Sequence, residues 1–280
     1  MILITGAGGK TGQAVIQALR MRNTAVRGLV RRQSQISLLE SWGAEAVIGD
    51  MLSAADVRQA AEGVSAIYHI APNMTRHERP MGRIAQEAAA AVGAKFVYHS
   101  VLHPQTEAMP HHWHKMHVEE NLFEVGIPFT ILQPAPYMQN LLAYETSIRE
   151  AGTLTLPYPP QTKLSLVDLA DVAEAAAVVL TEPGHEGATY ELVGTPPLTQ
   201  HEVAQHFGQC LGREVRALEQ PLAQWEVQAR QSGLNSYAVD SLLRMFNYYA
   251  HHGLVGNPQV LAWLLGRRPS TFGEFLERVL

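Results

Sequence analysis

The sequence predicts an α/β chain, a doubly wound parallel sheet followed by a smaller, mostly helical C-terminal substrate lobe. Three observations predict it. The chain opens on an apolar run, Ile2 to Ile4, that breaks into a glycine-spaced turn and then a helical pattern. Strand-like and helix-like patterns alternate from there to Leu132, as parallel sheets with crossover helices require. Beyond Thr199 helical patterns dominate. The sheet domain is placed at 1–150, with 163–181 returning to it, and the smaller lobe at 182–280.

The first element is the strand Ile2 to Ile4, and the segment Thr5-Gly6-Ala7-Gly8-Gly9-Lys10-Thr11-Gly12 follows it. A strand feeding a glycine turn and a helix sets backbone N–H groups and the positive helix end against a pyrophosphate, and glycine lets that phosphate approach. The opening is therefore Rossmann-like, with Gly6, Gly9 and Gly12 in a GxxGxxG spacing and Gly8, Lys10 and Thr11 beside them. Thr11 is placed either as a cap or on phosphate. The helix from Thr11 to Met21 buries Ala14, Val15, Ala18 and Leu19 on one face.

The strand Ala25 to Val30 runs into Arg31-Arg32-Gln33-Ser34, where an NAD-specific site would place an acidic residue on the ribose 2′-OH. An arginine there pairs with a 2′-phosphate, so the turn favours NADP(H) over NAD(H). The plainer alternative is a solvated loop with two surface arginines. Further strands are placed at Glu45 to Ile48, Ala66 to Ile70, Lys95 to His99 and Phe129 to Leu132. Helices are placed at Ala54 to Ala61, Arg83 to Val92 and Trp113 to Val125.

After Asn140 the pattern loosens, and Gly152 through Pro160 reads as loop. Lys163 to Val167 leads into a helix from Asp168 to Leu180, and Thr189 to Val193 is a strand. Thr199 with Glu202 forms a capping-box start, and helices follow at Gln220 to Arg230, Tyr237 to Tyr249 and Pro258 to Leu265. This lobe is expected to leave a substrate cleft by the strand ends. Phe246, Tyr248 and Tyr249 line that cleft, meet another subunit, or simply pack in the lobe.

Composition excludes several classes. A net charge of −5 with 46% hydrophobic residues supplies no basic footprint for nucleic acid. No apolar run reaches transmembrane length, and the opening run is too short for a signal peptide. The chain therefore reads as cytoplasmic, with no nucleic acid or membrane partner, and as a monomer or homodimer. Its one cysteine, Cys210, shares a helical pattern with Val203, Phe207 and Leu211 and is expected to be a buried structural thiol.

The combined stretches resemble the NmrA-like family of atypical short-chain dehydrogenases/reductases and the related NAD(P)H-binding quinone and triphenylmethane reductases. The resemblance rests on Ile4 through Gly12, Leu29-Val30-Arg31, Val47 to Asp50, Lys115 to Leu122, Ile127 to Leu132, Tyr137 to Leu141 and Val167 to Ala173. It implies that Gly6, Gly9 and Gly12 surround the pyrophosphate, that Arg31 meets the 2′-phosphate, and that Asp50 with Met51 borders the adenine. Ile70, Ala71 and Pro72 would line the ribose and nicotinamide path. Asp50 taken alone reads equally as the N-cap region of the next helix.

Short-chain reductases place Ser at a strand end and Tyr-x-x-x-Lys on the following helix, which corresponds here to Ser100 and Lys115. The tyrosine is replaced by His111, which shares a helix face with Lys115 if the helix starts as early as Pro110. Catalytic candidates are thus Lys115 on the nicotinamide side, and Ser100 or His111 to polarise or protonate the acceptor. The plain reading of Lys115 is a surface i,i+4 pair with Glu119. Trp113, Tyr137 and Met138 are candidates for stacking on a planar substrate, with core packing as the alternative.

Six histidines, His99, His103, His111, His112, His114 and His117, crowd one stretch, but their spacing supplies no complete ligand set, so no metal is expected. The expected function is an NADP(H)-binding oxidoreductase passing hydride to a quinone or similar planar small-molecule acceptor. The alternative is an inactive, cofactor-sensing regulator acting through a protein partner. A sugar-nucleotide epimerase is disfavoured by the missing Tyr-x-x-x-Lys pair.

Overall fold

A computed structural model describes residues 1–280. In chain order the elements begin β1 (Ile2–Ile4), α1 (Lys10–Met21), β2 (Val26–Val30), α2 (Ile36–Ser41), β3 (Glu45–Ile48), α3 (Ala54–Ala60), β4 (Ala66–His69), α4 (Glu78–Val92), β5 (Lys95–His99), α5 (Pro110–Val125) and β6 (Phe129–Pro134). They continue with α6 (Glu145–Ala151), β7 (Thr153–Leu156), β8 (Lys163–Leu164), α7 (Leu169–Thr181), β9 (Ala188–Leu192), β10 (Leu198–Thr199), α8 (Gln200–Leu211) and β11 (Arg216–Glu219). Four helices close the chain, α9 (Leu222–Gln231), α10 (Ser236–His252), α11 (Gln259–Leu265) and α12 (Phe272–Val279).

The chain divides into two compact units, the first comprising 1–105, 111–133 and 172–190 and the second 106–110, 134–171 and 191–280. The boundary placed at 150 from the sequence falls inside the second unit. Of the segment expected to return to the sheet, 172–181 belongs to the first unit and 163–171 to the second.

The first unit is built on a seven-stranded sheet in the order β3-β2-β1-β4-β5-β6-β9. The pairs from β3 through β6 are parallel, with Ile2 opposite Val26 on one side and Ala66 on the other. Strands buried on both faces need continuous apolar runs, and Leu3, Ile4, Ile67, Tyr68, Phe96 and Val97 are fully buried. Leu3, Ile67, Phe96, Tyr98 and Ile131 pack with Val57 and Ala60 of α3, Ala85 and Ala89 of α4, and Val118 and Leu122 of α5. Each such large apolar side chain contributes on the order of 2 kcal/mol on burial. Strand order reverses between β1 and β4, which makes the end of those strands the switch point where ligands bind in open α/β sheets.

Two helices start earlier than their patterns suggest. α4 begins at Glu78 rather than Arg83, because Pro80 sits in its first turn, where proline is tolerated. α5 begins at Pro110, its first helical residue, which puts His111 on the helix.

In the second unit β7 pairs in parallel with β11, Thr153 opposite Arg216, so the passage expected to be loop contains a strand. Its partner lies some sixty residues on, beyond any local pattern. Capping boxes start α8 at Thr199 with Glu202 and α12 at Thr271 with Glu274. Phe207 and Phe272 meet edge to face at 5.6 Å. Phe246 packs on Trp225 at 4.8 Å and on Tyr158 at 6.0 Å, and Tyr249 reaches Tyr158 at 6.1 Å, so these aromatic rings pack within the unit.

Cys210 is exposed, not buried. α8 buries Val203, Ala204 and Phe207, then ends at Leu211 before Gly212, so its last turn extends past the core that holds Phe207. No helix is long and apolar enough to cross a membrane.

Candidate active site

The glycine loop closes the end of β1. Thr5 is fully buried, its Oγ1 accepts from the Ile70 N–H at 2.9 Å, and it lies 2.9 Å from His69 Nδ1, which ties β1 to the end of β4. Gly6 holds φ +59°, and a Cβ there would stand 2.6 Å from the Ile70 carbonyl oxygen. A Cβ at Gly12 would stand 2.5 Å from the Gly6 carbonyl oxygen. Gly9 occupies the N-cap of α1 with no side-chain cap, and no acidic residue sits in the first turn. The positive end of α1 is therefore uncompensated, with Gly9 and Lys10 exposed and Thr11 inside the first turn rather than at the cap. This close-packed cradle at an uncapped helix end fits a pyrophosphate.

Arg31 and Arg32 are exposed after β2, and no carboxylate pairs with either. A residue missed in the sequence, Gln35, accepts from the Arg32 N–H at 3.2 Å and lays its amide on the glycine loop, where a Cβ at Gly8 would be 1.9 Å from Gln35 Nε2. Asp50 is exposed, and it does not cap α3, because Ser53 does, accepting from the Asp56 N–H at 3.2 Å. Asp50 instead accepts from the Leu52 N–H at 2.9 Å and donates its own N–H to Asp56 at 2.8 Å. That bond, then a side-chain hydrogen bond between Ser53 and the carboxylate, holds the Asp56 carboxyl below the usual range. Met51 and Ala71 are buried, while Ile70 and Pro72 are half-buried.

Lys115 does not form the surface pair with Glu119. Its Nζ donates to Glu78 Oε1 at 2.8 Å and to the His99 carbonyl at 3.2 Å, and lies 5.3 Å from the centre of the Tyr98 ring. Glu119 is engaged elsewhere: Ser100 donates to Oε1, and Gln133 Nε2 donates to both oxygens at 3.0 and 2.9 Å. Burial raises the Glu119 pKa, against the opposing effect of the Ser100 and Gln133 hydrogen bonds and the Lys115 charge. Ser100 is 2% exposed, and its hydroxyl hydrogen is committed to that carboxylate.

His111 lies one turn before Lys115, but burial, with smaller effects from His112, Lys115 and His114, pushes its pKa down to about 2. Burial thus disfavours the imidazolium that the proton-donor role expected of His111 would use. His112 meets His111 edge to face at 4.4 Å and contacts the His103 carbonyl through Nδ1 at 3.1 Å. His99 contacts Tyr68 Oη at 2.6 Å. No group of three His, Cys, Asp or Glu side chains is arranged to hold a metal ion.

Trp113 is half-buried in the first unit, edge-on to His117 at 5.2 Å. Tyr137 and Met138 belong to the second unit, where Tyr137 bridges to Val167 and the Met138 N–H bonds the Val167 carbonyl at 2.9 Å. Met138 is fully buried there, so its side chain packs in the core and presents no surface to a substrate. Glu78, Tyr98 and Gln133 had no signal in the sequence, since each takes its meaning from a partner on another element.

A sequence model of the NmrA-like family matches residues 1–276. The chain is 27% identical over 277 residues to NAD(P)H azoreductase of Xenophilus azovorans, covering 98% of this chain and 96% of that protein. It is 29% identical over 277 residues to quinone oxidoreductase 2 of Escherichia coli strain K12, with coverage of 98% and 96%. The crystal structure of NADPH-dependent quinone oxidoreductase from Escherichia coli complexed with NADPH matches with a TM-score of 0.88 at 28% identity, covering 100% of this chain and 99% of that one. Triphenylmethane reductase from Citrobacter sp. has the same fold, with a TM-score of 0.88 at 23% identity and full coverage of both chains, 100% each.

Proposed function

The chain belongs to the NmrA-like family, and from that premise we propose that it is an NAD(P)H-dependent reductase that prefers NADP(H) and reduces a quinone or similar planar, conjugated small molecule. The observation that carries the reading is the glycine cradle at the uncapped N-terminus of α1, beside a basic turn that no carboxylate neutralises. Whole-length similarity to a quinone oxidoreductase and an azoreductase supports the choice of acceptor.

The bound dihydronicotinamide supplies the hydride. Gly6, Gly9 and Gly12 let the loop backbone approach the pyrophosphate, Lys10 adds charge at its rim, and Arg31 receives the 2′-phosphate. Asp50 and Met51 border the adenine, and Ile70, Ala71 and Pro72 line the path towards the nicotinamide. Lys115 faces the nicotinamide ribose, held from behind by Glu78 and the His99 carbonyl. Reducing a quinone to a hydroquinone takes a hydride and one proton, which water can deliver, so the chemistry needs neither a tyrosine nor an acidic His111. Trp113, in the same unit as the glycine loop and Lys115, remains a candidate to face a planar acceptor.

The burial of His111, which disfavours its charged form, and the committed Ser100 hydroxyl favour a second reading, a cofactor sensor without turnover. Calorimetric titration with NADPH, NADP+, NADH and NAD+, followed by NADPH oxidation against a panel of soluble naphthoquinones, separates the two. A reductase binds NADPH more tightly than NADH and oxidises it when a quinone is added. Arg31→Ala lowers the NADPH-over-NADH preference about tenfold or more, the value of a charged hydrogen bond. Equal, tight binding of reduced and oxidised forms with no turnover supports the sensor, and an unchanged preference in Arg31→Ala removes the 2′-phosphate role.

A further inference from the structure

We propose that Glu78 is a positioning residue for the reaction site, one that acts through Lys115 by leaving a single ammonium hydrogen to face the ligand. The inference rests on the role given above to Lys115. An ammonium carries three hydrogens and no acceptor. One is held by Glu78 Oε1 at 2.8 Å and a second by the His99 carbonyl at 3.2 Å. The two anchors come from different elements, α4 and the end of β5, so together they set both the place and the direction of the third hydrogen. The Lys115 side chain keeps 15% of its surface exposed while Glu78 keeps 5%, so the free hydrogen belongs to the partner that still reaches solvent.

Glu78 is itself held in place. Tyr98, fully buried, donates its hydroxyl to the same Oε1 at 2.7 Å, which pins the carboxylate against rotation. Burial first, and then the neighbouring Glu78 charge, raises the Tyr98 pKa well above its ordinary value, so the phenol remains a donor. The Tyr98 ring is stacked on His69 at 6.1 Å with an interplanar angle of 17°, and His69 is anchored to Thr5 at the start of the glycine loop. Glu78 is also the first residue of α4, where the helix dipole favours a carboxylate and offsets part of its burial. A buried ion pair adds little net stability over a well-packed apolar pair. What this arrangement does provide is a fixed direction for one ammonium hydrogen.

The test is a double-mutant cycle between Glu78→Gln and Lys115→Ala, with NADPH affinity read by calorimetry and hydride transfer read in single turnovers with menadione. Glu78→Gln should slow hydride transfer about 10- to 100-fold, since a displacement near 1 Å costs up to about that much. It should weaken NADPH binding several-fold, and Glu78→Asp should recover part of both losses. The double variant should be no worse than Lys115→Ala alone, because Glu78 acts only through the lysine. Should Glu78→Gln prove unable to fold, Tyr98→Phe removes one hydrogen bond to the same oxygen and is read in the same way.

Additive losses in the double variant, or a lowered melting temperature with wild-type affinity and rate, overturn the proposal. If Lys115→Ala leaves both readouts unchanged, the role of Lys115 has failed and that of Glu78 with it. A damaged Lys115→Ala beside an intact Glu78→Gln overturns Glu78 alone. NADPH affinity reports on the pair even when menadione is not reduced.

Discussion

Ser100, just past β5, donates its hydroxyl hydrogen to Glu119 on α5, and the amide of Gln133 in β6 holds both oxygens of the same carboxylate. Three elements are thereby joined at one buried group, with Ser100 2%, Glu119 5% and Gln133 8% exposed. A buried acceptor that loses a donor bears its desolvation cost alone, about 1–3 kcal/mol. Ser100→Ala is expected to lose that much stability in urea denaturation, while NADPH oxidation per folded molecule falls less than about tenfold, the loss expected when no transition-state hydrogen bond is removed. A fall of a thousandfold in rate without loss of stability would instead make the Ser100 hydroxyl a participant in the chemistry.

Burial of four histidines is expected to make the fold sensitive to acid. Burial is the largest cause in each case, lowering His69 and His112 to about 4, His99 to about 3 and His111 to about 2 from an ordinary 6.5. The unfolded chain therefore takes up protons near pH 6.5 that the folded chain refuses. Stability is fully present above pH 6.5 and is lost as pH falls, by up to about 1.4 kcal/mol per histidine per pH unit. Glu119, with its raised pKa, acts in the opposite direction, since its contribution is complete below 4.5 and fades as pH rises through the folded value. Four groups outweigh one, so the guanidinium midpoint should be clearly lower at pH 5.5 than at pH 7.5. Equal midpoints would mean that these rings are hydrated in solution.

At Gly12 the constraint is backbone against backbone. A Cβ would lie 2.5 Å from the Gly6 carbonyl oxygen and 2.8 Å from Ala7 Cα, and neither can turn aside as a side chain could. Gly12→Ala should cost about 1–3 kcal/mol, as overpacking does. It should also remove most of the melting-temperature rise that saturating NADPH produces, because that rise scales with ligand affinity. Wild-type thermal stabilisation by NADPH in this variant would show that the nucleotide does not need the tight loop.

Within the second unit, Asp168 is fully buried and held by Arg278, by Gln139 Nε2 at 2.8 Å and by the Ala170 N–H at 3.0 Å. Breaking a fully buried pair costs about 3–5 kcal/mol, but Arg278 is half exposed and solvent screens part of its charge. Arg278→Ala is expected to cost about 1–3 kcal/mol in urea denaturation, and Arg278→Lys to cost less. No loss in Arg278→Ala would mean that the two hydrogen bonds satisfy Asp168 by themselves.

Much of the fold is legible in the chain because its signals are local. Apolar triplets such as Ile2 to Ile4, the spacing of Gly6, Gly9 and Gly12, Pro110 at a helix start and the Thr199–Glu202 capping box each act within one turn or one strand. β7 was not legible because its four residues become a strand only by pairing with Arg216–Glu219. Cys210 was misplaced because periodicity tells which face of α8 is apolar but not how far the core extends along it.

The candidate site divides in the same way. The sequence by itself determined the glycine cradle, the basic turn at Arg31 and the presence of Lys115 on the helix after β5, since these depend on residue type and on neighbours in the chain. Only the tertiary structure decided that Lys115 pairs with Glu78, 37 residues away, and not with Glu119 on its own helix, and that Glu119 is taken by Ser100 and Gln133. It also decided that His111 is buried, which disfavours its charged form. Charge state and hydrogen-bond partnership depend on burial, and burial is set by which distant elements pack over a side chain.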